Sequence, residues 1–313
     1  MQVTSSNNRR SPNQIDLAIV VVNYHCTAEI KRLLGSIERS LSYCNAAENT
    51  LNLQVWIINN SPDDSSLSDL PYATKITVRL IQATGNIGFG RACNLAIAQL
   101  WKLSNRPWIW LLNPDTTLNS DTLQNWMALL GNHRNIPWAI AGTTVKNTDQ
   151  NIEFSGGYWD PKTGEIYPLT TPTSVQSWQP ILWASGCSLI LNPDKFGEKT
   201  PQFDPDFFLY YEDFEFCRRY EKLLRSPENP YPIALLPSIS VIHHTSSVTG
   251  RTPAKKTAWA IEGYLLALEK CVPRGVWLRR LVRIAIAAGL ARLRGRSGKW
   301  IGIKRYFRRR FSQ

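Results

Sequence analysis

The chain has 313 residues, 43% of them hydrophobic, enough to bury a full core in one large domain or two small ones, and this excludes disorder for most of its length. Its formal charge of +12 is uneven: residues 271–313 hold thirteen of the 36 Lys and Arg and no Asp or Glu, so the remainder, carrying all 24 acids, is near neutral. The six cysteines show no CxxC pair and no zinc-type spacing, which points to a reduced cytosolic compartment, and no run approaches the ~20 apolar residues of a membrane span.

Residues 1–14 are polar and rich in Ser and Asn, and are predicted to be disordered. The apolar stretch after them carries Asp16 and runs into Asn23-Tyr24, so it reads as a first strand over Leu17 to Val22 and not as a signal peptide. Ile30, Leu33, Leu34, Ile37 and Leu41 follow at helical spacing, and Leu53 to Ile58 and Ile76 to Ile81 read as the next two strands. Ala92, Ala96, Ile97 and Leu100 mark a second helix, and Trp108 to Leu112 a fourth strand. A helix from Ser120-Asp121 through Leu130 comes next, with Gly131 as its expected C-cap. This β-α-β order predicts an α/β fold with a mostly parallel, doubly wound sheet covered on both faces.

Open parallel sheets bind ligands beyond the carboxyl ends of their strands. The four predicted strands end in Asn23-Tyr24, Asn59-Asn60-Ser61, the loop Gly85 to Arg91, and Asn113-Pro114-Asp115. All four ends fall on one rim, where Asp115 could meet a divalent cation and a phosphorylated ligand; as isolated loops, each is also ordinary turn chemistry. Beyond residue 150 the alternation fades. Phe154 to Pro168 reads as a hairpin and Ile181 to Leu191 as a buried strand interrupted at Ser185-Gly186, with Trp183 beside it as a candidate stacking platform.

The segment Phe203 to Glu215 sets an aromatic cluster before Glu212 and Asp213 at a helix start. Acids there suit the helix dipole, but apolar walls would also raise their pKa and make one of them a catalytic acid or base. Ser240 to Ile242 leads to the pair His243-His244 at the end of a last strand, on the same rim.

Asn23-Tyr24, Asn59-Asn60-Ser61, Asn86 to Asn94, Leu112 to Asp115 and Phe207 to Glu215 occur in the order and spacing of bacterial family-2 glycosyltransferases, and most resemble the rhamnosyltransferase-like branch over about residues 16–250. The resemblance implies a GT-A fold over residues 15–270 and an inverting transfer of a sugar, rhamnose first, from a nucleoside-diphosphate donor to a lipid-linked or polysaccharide acceptor. By that resemblance Asp115 holds Mg²⁺ or Mn²⁺ on the diphosphate and Asn113 takes the place of the motif's first acid. Arg91 faces the pyrophosphate or orders its loop, and Tyr24 and Asn59 receive the base. Asp213 is the general base, Glu212 orients the acceptor, Gly186 allows its close approach, and His243, or else His244, joins Asp115 at the metal. One departure stands out: Ile58 occupies a place where the family usually has an Asp, which leaves the identity of the nucleotide open. Two other readings remain at this stage, a noncatalytic nucleotide-sugar-binding protein and a sugar-nucleotide nucleotidyltransferase; the absence of a Gly-rich basic loop after the first strand counts against the latter.

In the basic tail, residues 271–313, Trp277, Leu281, Ile284 and Ala288 form one helical stripe and Trp300, Ile303, Phe307 and Phe311 another. Such helices either lie on an anionic membrane or pack on the domain; specific nucleic-acid binding is not expected. The first alternative would put the protein on the inner face of the cell membrane.

Overall fold

The structure, a computed structural model, describes residues 15–45, 51–70, 76–132, 136–171, 177–227, 229–244 and 253–311. Residues 1–14, for which disorder is expected, lie outside the described residues. The first half alternates as anticipated: β1 (Leu17–Asn23), α1 (Thr27–Asn45), β2 (Leu53–Asn59), β3 (Thr77–Gln82), α2 (Phe89–Leu100), β4 (Trp108–Leu112), β5 (Thr116–Leu118) and α3 (Thr122–Asn132). α3 runs on through Asn132, so Gly131 lies within the helix and does not cap it. Next come β6 (Ile140–Lys146), β7 (Ile152–Phe154), the hairpin β8 (Gly157–Asp160) and β9 (Glu165–Pro168), β10 (Gln179–Pro180) and β11 (Ser188–Leu191). The chain closes with α4 (Glu212–Leu224), β12 (Ile233–His243), α5 (Pro253–Cys271), α6 (Arg274–Leu293) and α7 (Gly298–Phe311).

One sheet carries the architecture, in the order β10-β12-β6-β11-β4-β1-β2-β3. β3, β2, β1 and β4 are parallel, and β1, at their centre, is buried at all seven positions, which is why it reads as an unbroken apolar run. Each large aliphatic side chain buried there contributes on the order of 1.5–3 kcal/mol. The second half is mixed. β11 inserts antiparallel between β4 and β6, and Trp110 on β4 donates its indole N–H to Ser188 on β11 at 2.9 Å. The strand expected over Ile181 to Leu191 is thus confined to Ser188–Leu191; residues 181–187 form the irregular wall of a cavity instead.

α5 to α7 belong to the same body. Leu265, Leu266 and Leu268 of α5, Ala288 of α6, and Ile303 and Tyr306 of α7 all join the core. Glu262, buried on α5, receives Arg305 at 2.6 Å and Arg309 at 3.2 Å, while Glu269 accepts from Tyr306 at 2.7 Å. The stripe Trp277, Leu281, Ile284 and Ala288 packs against the protein, as do Trp300, Ile303 and Phe307; Phe311 is exposed. These apolar faces are therefore not the ones available to a membrane; α5 ends at Cys271 and α6 begins at Arg274. No helix among the described residues is long and apolar enough to cross a membrane, and the six cysteines are free.

Candidate active site

Parallel pairing brings Asn23, Asn59 and Gln82 level at the carboxyl ends of β1, β2 and β3. Their side chains bond to one another: Asn23 donates to Asn59 at 3.2 Å and to Ser61 at 3.1 Å, and Asn59 donates to Gln82 at 2.9 Å. Asn59 is buried, and these bonds brace the rim. Its neighbour Asn60 lines the cavity and ties down the following loop, donating to Asn86 at 3.1 Å and accepting from Ile87 N at 2.9 Å. Ile58, at the place of the missing acid, is buried in β2.

A cavity of about 440 Å³ opens on this rim, large enough for a small-molecule ligand. Tyr24, Asn60 and Asn86 line one end, Asn113 and Asp115 the floor, and Lys255, Lys256 and Trp259 of α5 the far side. Arg91 is absent from the lining: its Nε donates to Pro205 O at 2.7 Å, so it orders the loop ahead of Tyr210. Lys255 and Lys256 are placed where a helix dipole disfavours cations, in the first turn of α5, and an anion in the cavity would offset that cost.

Asp115 meets His243 because β5, directly after it, pairs antiparallel with β12, with Thr116 opposite His243. His243 Nε2 lies 3.4 Å from Asp115 Oδ1 and its Nδ1 2.8 Å from Glu153 Oε2 on β7. The two carboxylates push the imidazole up to about 9 against the opposing effect of burial, Asp115 contributing most. His244 does not share this site: its backbone N–H holds Asp115 O at 2.7 Å and its ring bonds to Thr117 at 2.9 Å. Asp115 and His243 fit a divalent cation by chemistry, one carboxylate oxygen beside an imidazole whose other nitrogen a second carboxylate orients. Among the described residues no cluster of three or more protein ligands exists, so a cation here would complete its shell from diphosphate oxygens and water.

A second cavity of about 470 Å³ adjoins the first, and the two share Phe89, Asn113, Leu209 and Tyr210 as walls. Asp213, Gly186 and His243 line the second. The loop that delivers Asp213 is strained, with Tyr210 at φ 70° and Tyr211 at φ 68°, left-handed values that cost about 1–3 kcal/mol each in non-glycine residues. It is clamped from both sides. Phe89 N donates to Phe208 O at 3.1 Å, and Gly263 of α5 lies so close that a Cβ there would stand 2.2 Å from Tyr210 O. Trp259 and Tyr264 of α5 pack on Phe208 and Tyr211.

Asp213 Oδ2 accepts from Gly186 N and Oδ1 from Phe214 N, both at 2.8 Å. Burial raises its pKa and these donors oppose the rise by stabilising the anion. For Glu212, burial and then the charge of Asp213 outweigh a backbone hydrogen bond and raise it to about 8, and its Oε2 has no hydrogen-bond partner among the described residues. Burial thus raises both carboxyls, and the two differ in that backbone donors hold both Asp213 oxygens while Glu212 Oε2 is unmet among the described residues. A folded pKa above the unfolded 4.5 means that the native state keeps a proton the unfolded chain has lost, so stability falls as pH rises between about 4.5 and 8. Glu212→Gln, which cannot ionise, is expected to flatten that slope and raise the melting temperature at pH 8.5 relative to the unaltered protein. An unchanged pH profile of thermal melting would show that Glu212 is not the source.

Of the residues proposed from sequence, Tyr24, Asn113, Asp115, Gly186, Glu212, Asp213 and His243 line the paired cavities. Trp183 also lines the second, but it is only 8% exposed: its Nε1 donates to Tyr158 O at 3.0 Å and its ring packs on Phe154 and Phe214, which leaves little face for a sugar. Glu153, Lys255, Lys256 and Trp259 were not anticipated. The Lys pair opening a helix was the one available signal; Glu153 sits on a three-residue strand with no pattern of its own.

No protein-family model matches the chain. It is 26% identical over 268 residues to the N-acetylglucosaminyl-diphospho-decaprenol L-rhamnosyltransferase of Mycobacterium tuberculosis, covering 77% of this chain and 80% of that protein. Among solved structures it is similar to S. aureus TarS, with TM-score 0.50 and 15% identity over 81% of this chain, and it spans 65% of that chain's length. It is also similar to the mannosyltransferase PcManGT of Pyrobaculum calidifontis, solved with GDP-Man and Mn²⁺, with TM-score 0.52 and 11% identity over 95% of this chain and 86% of that one. The chain has the GT-A fold and is a relative of glycosyltransferases built on it, a rhamnosyltransferase among them.

Proposed function

We propose that the protein is an inverting glycosyltransferase of the family-2 type, moving a sugar, rhamnose first, from a thymidine or uridine diphosphate donor to a hydroxyl of a lipid-linked or polysaccharide acceptor in cell-surface glycan synthesis. The reaction would take place at the inner face of the cell membrane. One observation carries this reading: two cavities meet at Phe89, Asn113, Leu209 and Tyr210, with Asp115 in one and Asp213 in the other. A donor seated in the first would present its anomeric carbon at the junction, open to attack from the second.

In the first cavity, Tyr24 and Asn60 would hold the base and ribose. Lys255 and Lys256 would face the diphosphate and supply charge that Asn113 cannot recruit as an acid would. Asp115 and His243 would hold Mg²⁺ or Mn²⁺, whose chemistry is to neutralise the charge that builds on the leaving diphosphate. In the second cavity, Asp213 takes the proton of the acceptor hydroxyl as that oxygen forms its bond to the anomeric carbon, while the bond to the diphosphate oxygen breaks on the opposite face. One displacement inverts the centre. The curated relative acts on a lipid-linked acceptor by name, which supports the same class here.

The test is to incubate the protein with Mn²⁺, thymidine-diphosphate rhamnose or a uridine-diphosphate sugar, and a lipid-linked acceptor, and to read the product's anomeric configuration by NMR. Inverted product is expected; retained configuration would overturn the assignment of Asp213 as base.

A further inference from the structure

α6 has a second apolar line, on the side away from the protein. Leu278, Val282, Ile286 and Leu290 recur every four residues and are 49% to 60% exposed, and Leu293 at the helix end is 86% exposed. No described residue covers them. Arg279 and Arg283 are exposed beside this line, and Arg294 and Arg296 lie exposed at its end. Residues 271–313 contain no Asp or Glu. A helix whose inner face is bound by the protein and whose outer face is apolar with a basic border is complementary to a surface both apolar and anionic.

We infer that the outer face of α6 docks on an anionic lipid bilayer, the helix lying in the plane of the interface with Leu278, Val282, Ile286 and Leu290 inserted and the arginines among the headgroups. Charge selects this occupant over a second copy of the chain: twofold pairing through α6 would bring Arg279 and Arg283 against their equivalents with no acid in the segment to match them. The position of α6 supports the same orientation. A groove of about 480 Å³ runs between β9, α5 and α6, with Arg280 and Ile284 at one end. It shares Ile166, Tyr167, Tyr211 and Ala260 with the Asp213 cavity, so α6 walls a groove that adjoins that cavity. Arg279 also donates to Lys162 O at 2.7 Å, tying the turn of the β8–β9 hairpin to α6.

The experiment is flotation of the full chain with vesicles of phosphatidylcholine alone and of phosphatidylcholine with phosphatidylglycerol. It is repeated with the double variant Ile286→Glu, Leu290→Glu, whose melting temperature is checked against the parent. Each Arg near an anionic surface strengthens binding about fivefold, so the parent is expected to float with the anionic vesicles and weakly or not at all with the neutral ones. The variant, which places two charges at the inserted depth, is expected to bind at least about tenfold less while melting normally. A parent that stays unbound, or a variant that floats equally well, would overturn the proposal. So would a concentration-dependent dimer of the parent, lost in the variant, without flotation. The readout needs neither donor nor acceptor, so it succeeds or fails apart from the enzymatic assignment.

Discussion

Asp213→Asn is expected to lower turnover by about 10²–10⁴-fold, the range for loss of a positioned general base, and to leave affinity for the nucleotide sugar unchanged. The substitution is nearly isosteric: the amide oxygen keeps one of the two bonds from Gly186 N and Phe214 N and gives up the other, while the clamps on the strained loop at Tyr210-Tyr211, Phe89 N on Phe208 O and the close approach of Gly263, are untouched. What it removes is the acceptor for the hydroxyl proton. In the parent, the rate should climb with pH through the folded pKa of Asp213, which burial sets above the usual carboxylate value, and level off once the group is ionised. That rising limb should vanish in the variant. Donor affinity measured by calorimetry and single-turnover rates measured across pH would check both halves. An unaltered rate would remove Asp213 from the mechanism, and a matching loss of donor binding would make it structural.

Asp115→Ala should act on the other substrate. It takes away the one carboxylate that faces the first cavity from its floor and leaves His243 held by Glu153 alone. Loss of about 10²–10³-fold in turnover is expected, comparable to removing one group that stabilises developing negative charge. The discriminating measurement is thermal stabilisation by donor with and without Mn²⁺: the parent should show a metal-dependent increment and the variant none. Equal increments in both would place the cation elsewhere. Asp115→Ala also relieves His243 of one of its two carboxylates, so the variant can be stabler or less stable without the cation; the comparison is therefore made within each protein, plus and minus metal.

Within the parallel half of the sheet, β1, β2 and β4 were legible because they are buried almost throughout, and a strand so placed must be mostly apolar; β3, at the edge, is largely exposed. Leu17 to Val22 and Trp108 to Leu112 announce themselves for that reason, and the polar residues that break each run necessarily mark the rim. Asp115, Asp213 and His243 were legible by residue type at strand and helix ends. The antiparallel β11 was legible only in part: the break at Ser185-Gly186 shows in the sequence, but apolar residues flank it on both sides and nothing local says that only Ser188–Leu191 pairs with β4 and β6. Motif position put Asn59 on the base and left Arg91 between the pyrophosphate and the ordering of its loop; Arg91 bonds to Pro205 O, in keeping with the second role, and Asn59 is enclosed by Asn23, Ser61 and Gln82. Side chains of that kind can serve ligand or scaffold equally well, and only their neighbours decide.

The tail shows the same division most sharply. Composition established that residues 271–313 are basic and the chain before them near neutral, and apolar spacing predicted two amphipathic helices there. α6 bears apolar residues on two sides, Trp277, Leu281, Ile284 and Ala288 on one and Leu278, Val282, Ile286 and Leu290 on the other, and helical periodicity cannot rank them. Packing ranks them: the core, with Tyr306 of α7 against Trp277, covers the first line and leaves the second largely to solvent, while on α5 Gly263 and Trp259 brace the loop that carries Asp213. Periodicity is a property of one element and can be read along the chain; which face is buried is a property of two elements meeting, and it exists only once they have docked.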